Sequence, residues 1–147
     1  MKVYISNYPK HRWYHNYLYK WFGYAPEQTK YIKIDRWDSW SADYTLAEII
    51  LPVLVQLKGN HQGAPYVEPE DVPEFLRPTH KPEYDVDNTH FDRWEWVLDE
   101  MIYAFDCKVN KDEPYVRFDD VEEARKEQDR ISTGFRLFGK YYENLWD

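Results

Sequence analysis

Apolar residues recur with helical spacing in the second half of the chain. The first stripe consists of Trp94, Val97, Leu98, Met101, Ile102 and Phe105. The second stripe, after a capping residue at Asp119 or Asp120, consists of Val121, Ala124, Gln128, Ile131, Phe135, Phe138, Tyr142 and Leu145. This spacing predicts two amphipathic helices. The second stripe also alternates steps of three and four, as a helix-packing seam does.

Residues 44–58 predict a helix of a different kind. Nearly every position between Leu46 and Leu57 is apolar, which predicts a helix that is buried on all sides. Pro52 removes one backbone hydrogen bond and predicts a kink. Residues 59–90, which follow, contain five prolines and predict a long central loop.

The first 36 residues predict a helix between two short strands. The segments 3–5 and 31–35 alternate as strands do, while Pro9 and Gly23 mark the start and the end of a helix that reaches Phe22. The whole pattern predicts one α+β domain over residues 1–147 that is mostly α-helical. We expect about four helices, a short two-stranded element near the N-terminus and the long central loop.

Composition indicates the setting in which the protein works. The single cysteine, Cys107, excludes an internal disulfide and a cysteine-rich zinc site, and it favours a reducing cytoplasm. The longest apolar run, residues 49–55, is far shorter than the roughly 20 residues of a membrane span. The first residues contain no apolar segment of signal-peptide length. We therefore expect a cytoplasmic protein that has no membrane partner.

Charge is distributed unevenly along the chain. The net charge is −8, but residues 1–36 carry seven Lys or Arg against Glu27 and Asp35, and the remainder carries twelve against twenty-five Asp or Glu. An acidic body of this kind disfavours duplex nucleic acid, which needs a broad basic surface. The basic end of one copy can instead dock on the acidic body of another. Together with the helix-packing seam, this asymmetry predicts a homo-oligomer.

Aromatic residues alternate with cations most densely between Tyr8 and Tyr24. Here His11, Arg12, Trp13 and His15 predict a site for a small anionic, nucleotide-like ligand, because aromatic rings stack on bases and cations attract phosphate. The start of a helix adds positive potential. The alternative is a surface helix with solvated charges. The histidines also have the i, i+4 spacing of zinc helices, although the adjacent Arg12 opposes a metal.

A second basic-aromatic group lies near the end of the last predicted helix. Arg136 and Lys140 are one turn apart and predict a face that holds phosphate oxygens, with Tyr141 available for stacking. The alternative is that these cations contact the acidic helix of Trp94. Only a fold that brings this group close to His11 and Arg12 would make the two into one pocket.

Acidic residues offer an alternative chemistry. Asp35, Asp38, Asp43 and Glu48, together with Asp99 on the helix of Trp94, are oxygen ligands of the kind that hold Mg²⁺. Such a cluster would make the protein a metal-dependent nucleotide hydrolase or pyrophosphohydrolase. The simpler explanation is helix capping by the aspartates and a salt bridge from Glu48 to an arginine such as Arg136.

Several blocks of the chain resemble a family of small uncharacterised proteins of tailed bacteriophages. These blocks are Asp35-x-Trp37, Thr45–Pro52, Asp71–Glu74, Phe91–Ile102 and Gly134–Tyr142. The resemblance covers most of the chain beyond residue 30 and brings no established active site. It implies a role in counter-defence in the cytoplasm of an infected bacterial host. One such role is the sequestration of nucleotide signals by small oligomers with aromatic, basic pockets.

These observations lead to one functional hypothesis and two alternatives. We expect a binding protein that captures an anionic nucleotide-derived signalling molecule without turnover and without a cofactor. The first alternative is the metal-dependent hydrolase, for which Mg²⁺ would be required. The second is a protein–protein inhibitor or a minor virion protein that has no small ligand.

Overall fold

The computed structural model describes residues 1–7, 9–78 and 87–146. Its architecture is α+β and mostly α-helical, as predicted. The elements are β1 (Lys2–Ile5), α1 (Trp13–Phe22), β2 (Lys30–Lys33), α2 (Ala42–Asn60), α3 (His90–Asn110), α4 (Pro114–Arg117) and α5 (Val121–Lys140). Internal contacts divide the chain into an N-terminal unit, Met1–Thr45, and a C-terminal unit, Leu46–Asp147.

The N-terminal unit contains the predicted strand pair. Strands β1 and β2 are antiparallel, with Lys2 opposite Lys33 and Ile5 opposite Lys30. All eight residues of the pair are exposed. The pair is therefore held mainly by its backbone hydrogen bonds and gains little from apolar burial.

Helix α1 starts later than predicted. Arg12 is still extended, at φ −119° and ψ 154°, so the first helical residue is Trp13 rather than a residue next to Pro9. The backbone N–H of Arg12 donates to Nδ1 of His15 at 2.9 Å, which caps the first turn. The predicted stop at Gly23 is confirmed. Its φ of +64° lies in the left-handed region that favours glycine, and its N–H bonds to the carbonyl of Tyr19.

The prediction that α2 is buried on all sides is wrong. Ala47 and Leu54 are buried, but Leu46 and Val53 are 54% and 57% exposed. One face of the helix packs into the apolar core of the C-terminal unit. Because apolar residues occur on every side of α2, the sequence does not indicate which face packs into the core. Glu48 is likewise exposed, so it needs no buried partner.

Helices α3 and α5 form the centre of the C-terminal unit. The stripe of α3 is confirmed, but Val121 and Tyr142 of the α5 stripe are exposed, and Leu137, which lies outside that stripe, is buried. Trp94, Leu98, Met101 and Leu137 are fully buried in one apolar core. The two helices approach each other closely at Gly134, where an added Cβ would lie 2.3 Å from the carbonyl oxygen of Glu100. The seam of α5 is thus used largely within the chain, and the absence of a side chain at Gly134 allows it.

The predicted central loop is only partly free of structure. Residues 69–71 and 74–76 each form a short 3-10 turn, and Val67 and Val72 are buried in the core. Helix α3 begins at His90, earlier than the Asp92 cap that we expected. The short helix α4 was not predicted. Tyr8 and residues 79–86 of the predicted loop lie outside the described residues.

Candidate ligand-binding site

A pocket of about 420 Å³ lies beside α1 in the N-terminal unit. Its side chains include two histidines, two tyrosines and two prolines, namely His11, His15, Tyr19, Tyr24, Pro9 and Pro26. This volume lies in the range of ordinary small-molecule sites, which are mostly apolar with a few polar groups. Such a lining can stack a flat ring and donate hydrogen bonds to it or to an attached anion.

Two local features of the chain bring these side chains together. His11, His15 and Tyr19 are spaced four residues apart, so the two residues on α1 lie one turn apart on one face of the helix. The left-handed turn at Gly23 then reverses the chain and returns Tyr24 and Pro26 to the same pocket. The pocket is thus built from the helix and from the segment that leaves it.

The ring of His15 is held in one orientation. Its Nδ1 accepts the backbone N–H of Arg12, so a neutral ring carries its proton on Nε2. The edges of the His11 and Tyr14 rings pack against it at centroid distances of 5.5 and 4.5 Å. His15 is also the one buried residue among those that the structure describes in the N-terminal unit. Its Nε2–H is the hydrogen-bonding group that it can offer to a ligand.

Arg12 and Trp13 do not line this pocket, although both are predicted ligand residues. Arg12 is the N-cap of α1, where its backbone serves the cap. Trp13 is 77% exposed, and its ring lies edge-on to those of Tyr14 and Tyr17. The structure therefore brings together two of the four residues predicted in this region. The spacing from His11 to His15, continued by four residues, would have identified Tyr19 as well.

A second, polar compartment of about 670 Å³ adjoins the pocket. It shares Pro9 and Pro26 with the first and is otherwise lined by Glu27, Gln28 and Lys30. The Gln28 side chain donates to the carbonyl of Ser6 at 2.8 Å, which attaches this segment to the end of β1. The N-terminal unit therefore offers an aromatic compartment and a polar compartment side by side.

Arg136, Lys140 and Tyr141, the other predicted ligand residues, converge on Asp71 in the C-terminal unit. Arg136 Nη1 and the Tyr141 hydroxyl each donate to the Asp71 carboxylate at 2.7 Å, and Lys140 Nζ donates to it as well. Burial alone would raise the pKa of Asp71, but these three bonds outweigh it and hold the pKa below its usual range. Burial and the neighbouring Asp71 raise the pKa of Tyr141. The cluster fastens the central loop to α5.

Two cations share the Asp71 carboxylate in this cluster, and Glu68 lies beside it, since its backbone N–H donates to the Tyr141 hydroxyl at 2.9 Å. Arg136 and Lys140 are 53% and 41% exposed, so part of each head group reaches solvent. Their carboxylate partner is Asp71 rather than Glu48. The alternative was a contact between these cations and the acidic helix of Trp94. A different arginine of α5, Arg130, makes such a contact and binds Glu100 with bonds of 2.7 and 2.9 Å.

The aspartates of the predicted metal group near residue 35 act as caps. Asp35 accepts the backbone N–H of Trp37 at 3.0 Å. Asp38 accepts the backbone N–H of Asp35 at 2.8 Å and the Met1 amino group at 2.6 Å. The bond from this amino group holds the pKa of Asp38 below its usual range. These contacts match the capping explanation for Asp35 and Asp38.

The remaining members of the predicted metal group lie on α2 and α3. Asp43 is in the first turn of α2, Glu48 is exposed on that helix, and Asp99 on α3 forms a salt bridge with Lys58. Across residues 1–7, 9–78 and 87–146, no three His, Cys, Asp or Glu side chains are grouped closely enough to hold a metal ion.

A third polar cluster, which we did not predict, joins α3, α4 and α5. Glu127 accepts hydrogen bonds from the Tyr103 hydroxyl and, at 2.6 Å, from Arg117. Burial would raise the pKa of Glu127, but these two donors lower it below its usual range. Arg130 covers the ring of Tyr103 at 3.7 Å. These contacts connect three helices, although Nε of Arg117 is buried without a hydrogen-bond partner among the residues that the structure describes.

Comparisons of the chain with family models, with curated proteins and with solved structures give no significant match. In the part of the chain that the structure describes, no helix is both long enough and apolar enough to cross a membrane.

Proposed function

We propose that this protein binds an anionic nucleotide-derived molecule in the pocket beside α1 and sequesters it without chemical change. The pocket of about 420 Å³, with its two imidazoles and two phenol rings, is the observation that carries the proposal. A nucleobase stacked on tyrosine gains affinity from a large apolar contact that does not depend on base identity. The neighbouring hydrogen-bond donors then orient the polar part of the ligand.

Electrostatics supports an anion rather than a cation as the ligand. Residues 1–45 carry seven Lys or Arg against four Asp or Glu, whereas the rest of the chain is strongly acidic. Lys10 and Arg12 directly flank the pocket residue His11 in the chain. The first turn of α1 contains no acidic side chain, so the positive end of its dipole is not neutralised there. An acidic protein with a local positive region attracts anions to that region.

The biological role follows from the resemblance to bacteriophage proteins. A phage product that removes a nucleotide signal from the cytoplasm of an infected bacterium would act as a counter-defence protein. This role needs tight binding and slow release, and it needs no catalytic group. Arg136 and Lys140, whose head groups are about half exposed, are the second place where we propose that an anion binds.

The decisive experiment combines purified protein with mono-, di- and cyclic nucleotides, with and without Mg²⁺. After ultrafiltration, the retained protein is heat-denatured, and both fractions are examined by chromatography. We expect one nucleotide to disappear from the filtrate and to return chemically intact after heating. A product that forms only with Mg²⁺ would support the hydrolase instead. If every nucleotide passes through the filter, the proposal is wrong and a protein partner becomes the explanation.

A pair of tyrosines on α1 provides a matched control for the position of the site. Tyr19 lines the pocket, whereas Tyr17 does not, and the two side chains are 66% and 61% exposed. We expect Tyr19→Leu to weaken nucleotide binding about tenfold or more, because stacking contributes ~1–3 kcal/mol per base. Tyr17→Leu should leave the affinity within about twofold. Equal effects of the two substitutions would exclude this pocket as the binding site.

A further inference from the structure

We infer that the polar compartment selects among nucleotides by charge, with Glu27 acting against ligands that carry terminal phosphates. This inference rests on the proposed function, because it concerns the same ligand. The compartment adjoins the aromatic pocket through the shared Pro9 and Pro26, so a base bound beside Tyr19 directs its sugar and phosphate toward Glu27 and Lys30.

The charges of this compartment oppose each other. Glu27 contributes one negative charge and Lys30 one positive charge, and both side chains line the same space. A site for a polyphosphate would surround it with cations and helix N-termini and would exclude carboxylates. A carboxylate beside one ammonium is better suited to a ligand that offers hydroxyl donors together with a single negative charge. Sugar hydroxyls next to a phosphodiester have this combination.

The segment that carries Glu27 is held in place on both sides. Pro26 restricts the backbone before it, and the Gln28 side chain is bonded to Ser6 at 2.8 Å. The next amide, of Thr29, donates to the Ser6 hydroxyl at 2.9 Å. Because its neighbours are fixed, the Glu27 backbone stays beside the compartment, and its exposed carboxylate lines the space that a phosphate would enter. The carboxylate therefore discriminates by repulsion, which is an effective source of specificity.

The expected ligand class is consequently a nucleotide of low charge, such as a cyclic phosphodiester. Each phosphodiester carries a single negative charge, whereas a terminal phosphate carries up to two. Lys30 can donate to one phosphodiester oxygen while Glu27 accepts from a sugar hydroxyl. A triphosphate would place several negative charges near Glu27 and lose affinity through repulsion.

The test measures, by equilibrium dialysis, the affinities of three nucleotide types for the full-length protein. For each of the four common bases, the probes are the 3′,5′-cyclic monophosphate, the 5′-monophosphate and the 5′-triphosphate. For the wild type we expect affinity to fall in that order. Glu27→Gln should raise the affinity for the triphosphate roughly fivefold or more, and it should change that for the cyclic nucleotide by less than about twofold.

A control variant separates a local effect from a change in overall charge. Glu48→Gln alters the net charge by the same amount, but Glu48 is an exposed residue of the C-terminal unit. We expect it to leave all affinities unchanged. If Glu27→Gln does not alter the ratio of triphosphate to cyclic nucleotide affinity, or if Glu48→Gln alters it equally, the selectivity inference is wrong while the proposed function stands. If the wild type binds none of these probes and none of the other nucleotides of the ultrafiltration experiment, the proposed function itself fails.

Discussion

The two units of this chain differ in how far they bury their aromatic residues. Among the described residues of the N-terminal unit, His15 alone is buried, and five large aromatic side chains are at least 75% exposed. These are Trp13, Trp21, Phe22, Trp37 and Trp40. The C-terminal unit buries Trp94, Phe105 and Tyr141 in its core, although it also exposes aromatic side chains such as Phe75. Abundant aromatic residues therefore do not by themselves indicate a core.

This difference bears on what stabilises each unit. The C-terminal unit buries enough apolar surface to be stable through packing. The N-terminal unit gains little from burial, and its exposed rings are the kind of surface that binding partners cover. We therefore expect a nucleotide to order the N-terminal unit more than the C-terminal unit, since a ligand stabilises the state to which it binds.

The largest expected effect compares a truncation in each unit. Leu98 is fully buried on α3, whereas Phe22 is 80% exposed at the end of α1. We expect Leu98→Ala to lower the free energy of unfolding by about 2–5 kcal/mol, because it removes apolar contacts and leaves a cavity. Phe22→Ala should change it by less than about 0.5 kcal/mol. Urea denaturation followed by circular dichroism measures both, and a comparable loss in the two variants would contradict the contrast between the units.

A smaller effect, with opposite signs, is expected at two glycines of α5. An added Cβ at Gly134 would lie 2.3 Å from a backbone oxygen of Glu100 and 2.5 Å from Cβ of Ala104, but no described atom lies within 4 Å at Gly139. Gly134→Ala should destabilise the protein by roughly 1–2 kcal/mol, because strain of up to ~3 kcal/mol exceeds the helix-propensity gain of about 1 kcal/mol. Gly139→Ala should stabilise it by up to about 1 kcal/mol.

Thermal or urea unfolding of these two variants tests whether α3 and α5 are in close contact. Stabilisation by Gly134→Ala would show that the helices are farther apart than described.

The contact between α3 and α5 also bears on oligomerisation. The seam of α5 suggested self-association, but Phe135 and Phe138 pack on Phe105 of α3 within one chain. The homo-oligomer stays a prediction and now rests on the charge asymmetry and on the exposed apolar face of α2.

How much of the fold is visible in the sequence depends on how periodic each segment is. Helices α3 and α5 have one apolar stripe each, so their existence and the packing face of α3 are predicted correctly. The packing face of α5 is predicted only in part, because Val121 is 71% exposed whereas Leu137, which lies outside the stripe, is fully buried. Helix α2 is apolar in all directions, and the pattern therefore carries no information about which face is covered. The start of α1 was missed because His15 caps the chain at Arg12, an interaction that requires a histidine ring in one orientation.

In the candidate site, too, contacts between residues that are close in sequence could be predicted, whereas contacts between distant residues could not. The i, i+4 spacing of His11 and His15 identified part of the pocket, because residues one turn apart share a face. Tyr24 and Pro26 were missed because they return to the pocket only after the left-handed turn at Gly23. Asp71 was missed as the partner of Arg136 because 65 residues separate them and Asp71 lies in a segment without periodicity.

The last effect that we predict, no larger than that of Gly134→Ala, concerns this distant pair and depends on pH. Asn in place of Asp71 would lose the charge that faces Arg136 and Lys140, and its amide N–H₂ would meet another donor. Because both cations are about half exposed, we expect a loss of only about 1–2 kcal/mol near neutral pH. Asp99→Asn, which breaks the exposed pair with Lys58, is the control and should cost less than about 1 kcal/mol.

The pH dependence follows from the lowered pKa of Asp71. Its carboxylate stabilises the folded state fully above the unfolded pKa of about 3.9, and this contribution is lost as the pH falls through the lower folded pKa. The stability difference between the wild type and Asp71→Asn should therefore be constant from pH 7 to about pH 5 and shrink below about pH 4. Urea titrations at pH 7, 5 and 3 measure it. A difference that stays the same at pH 3 would mean that the ionised carboxylate is not what connects the central loop to α5.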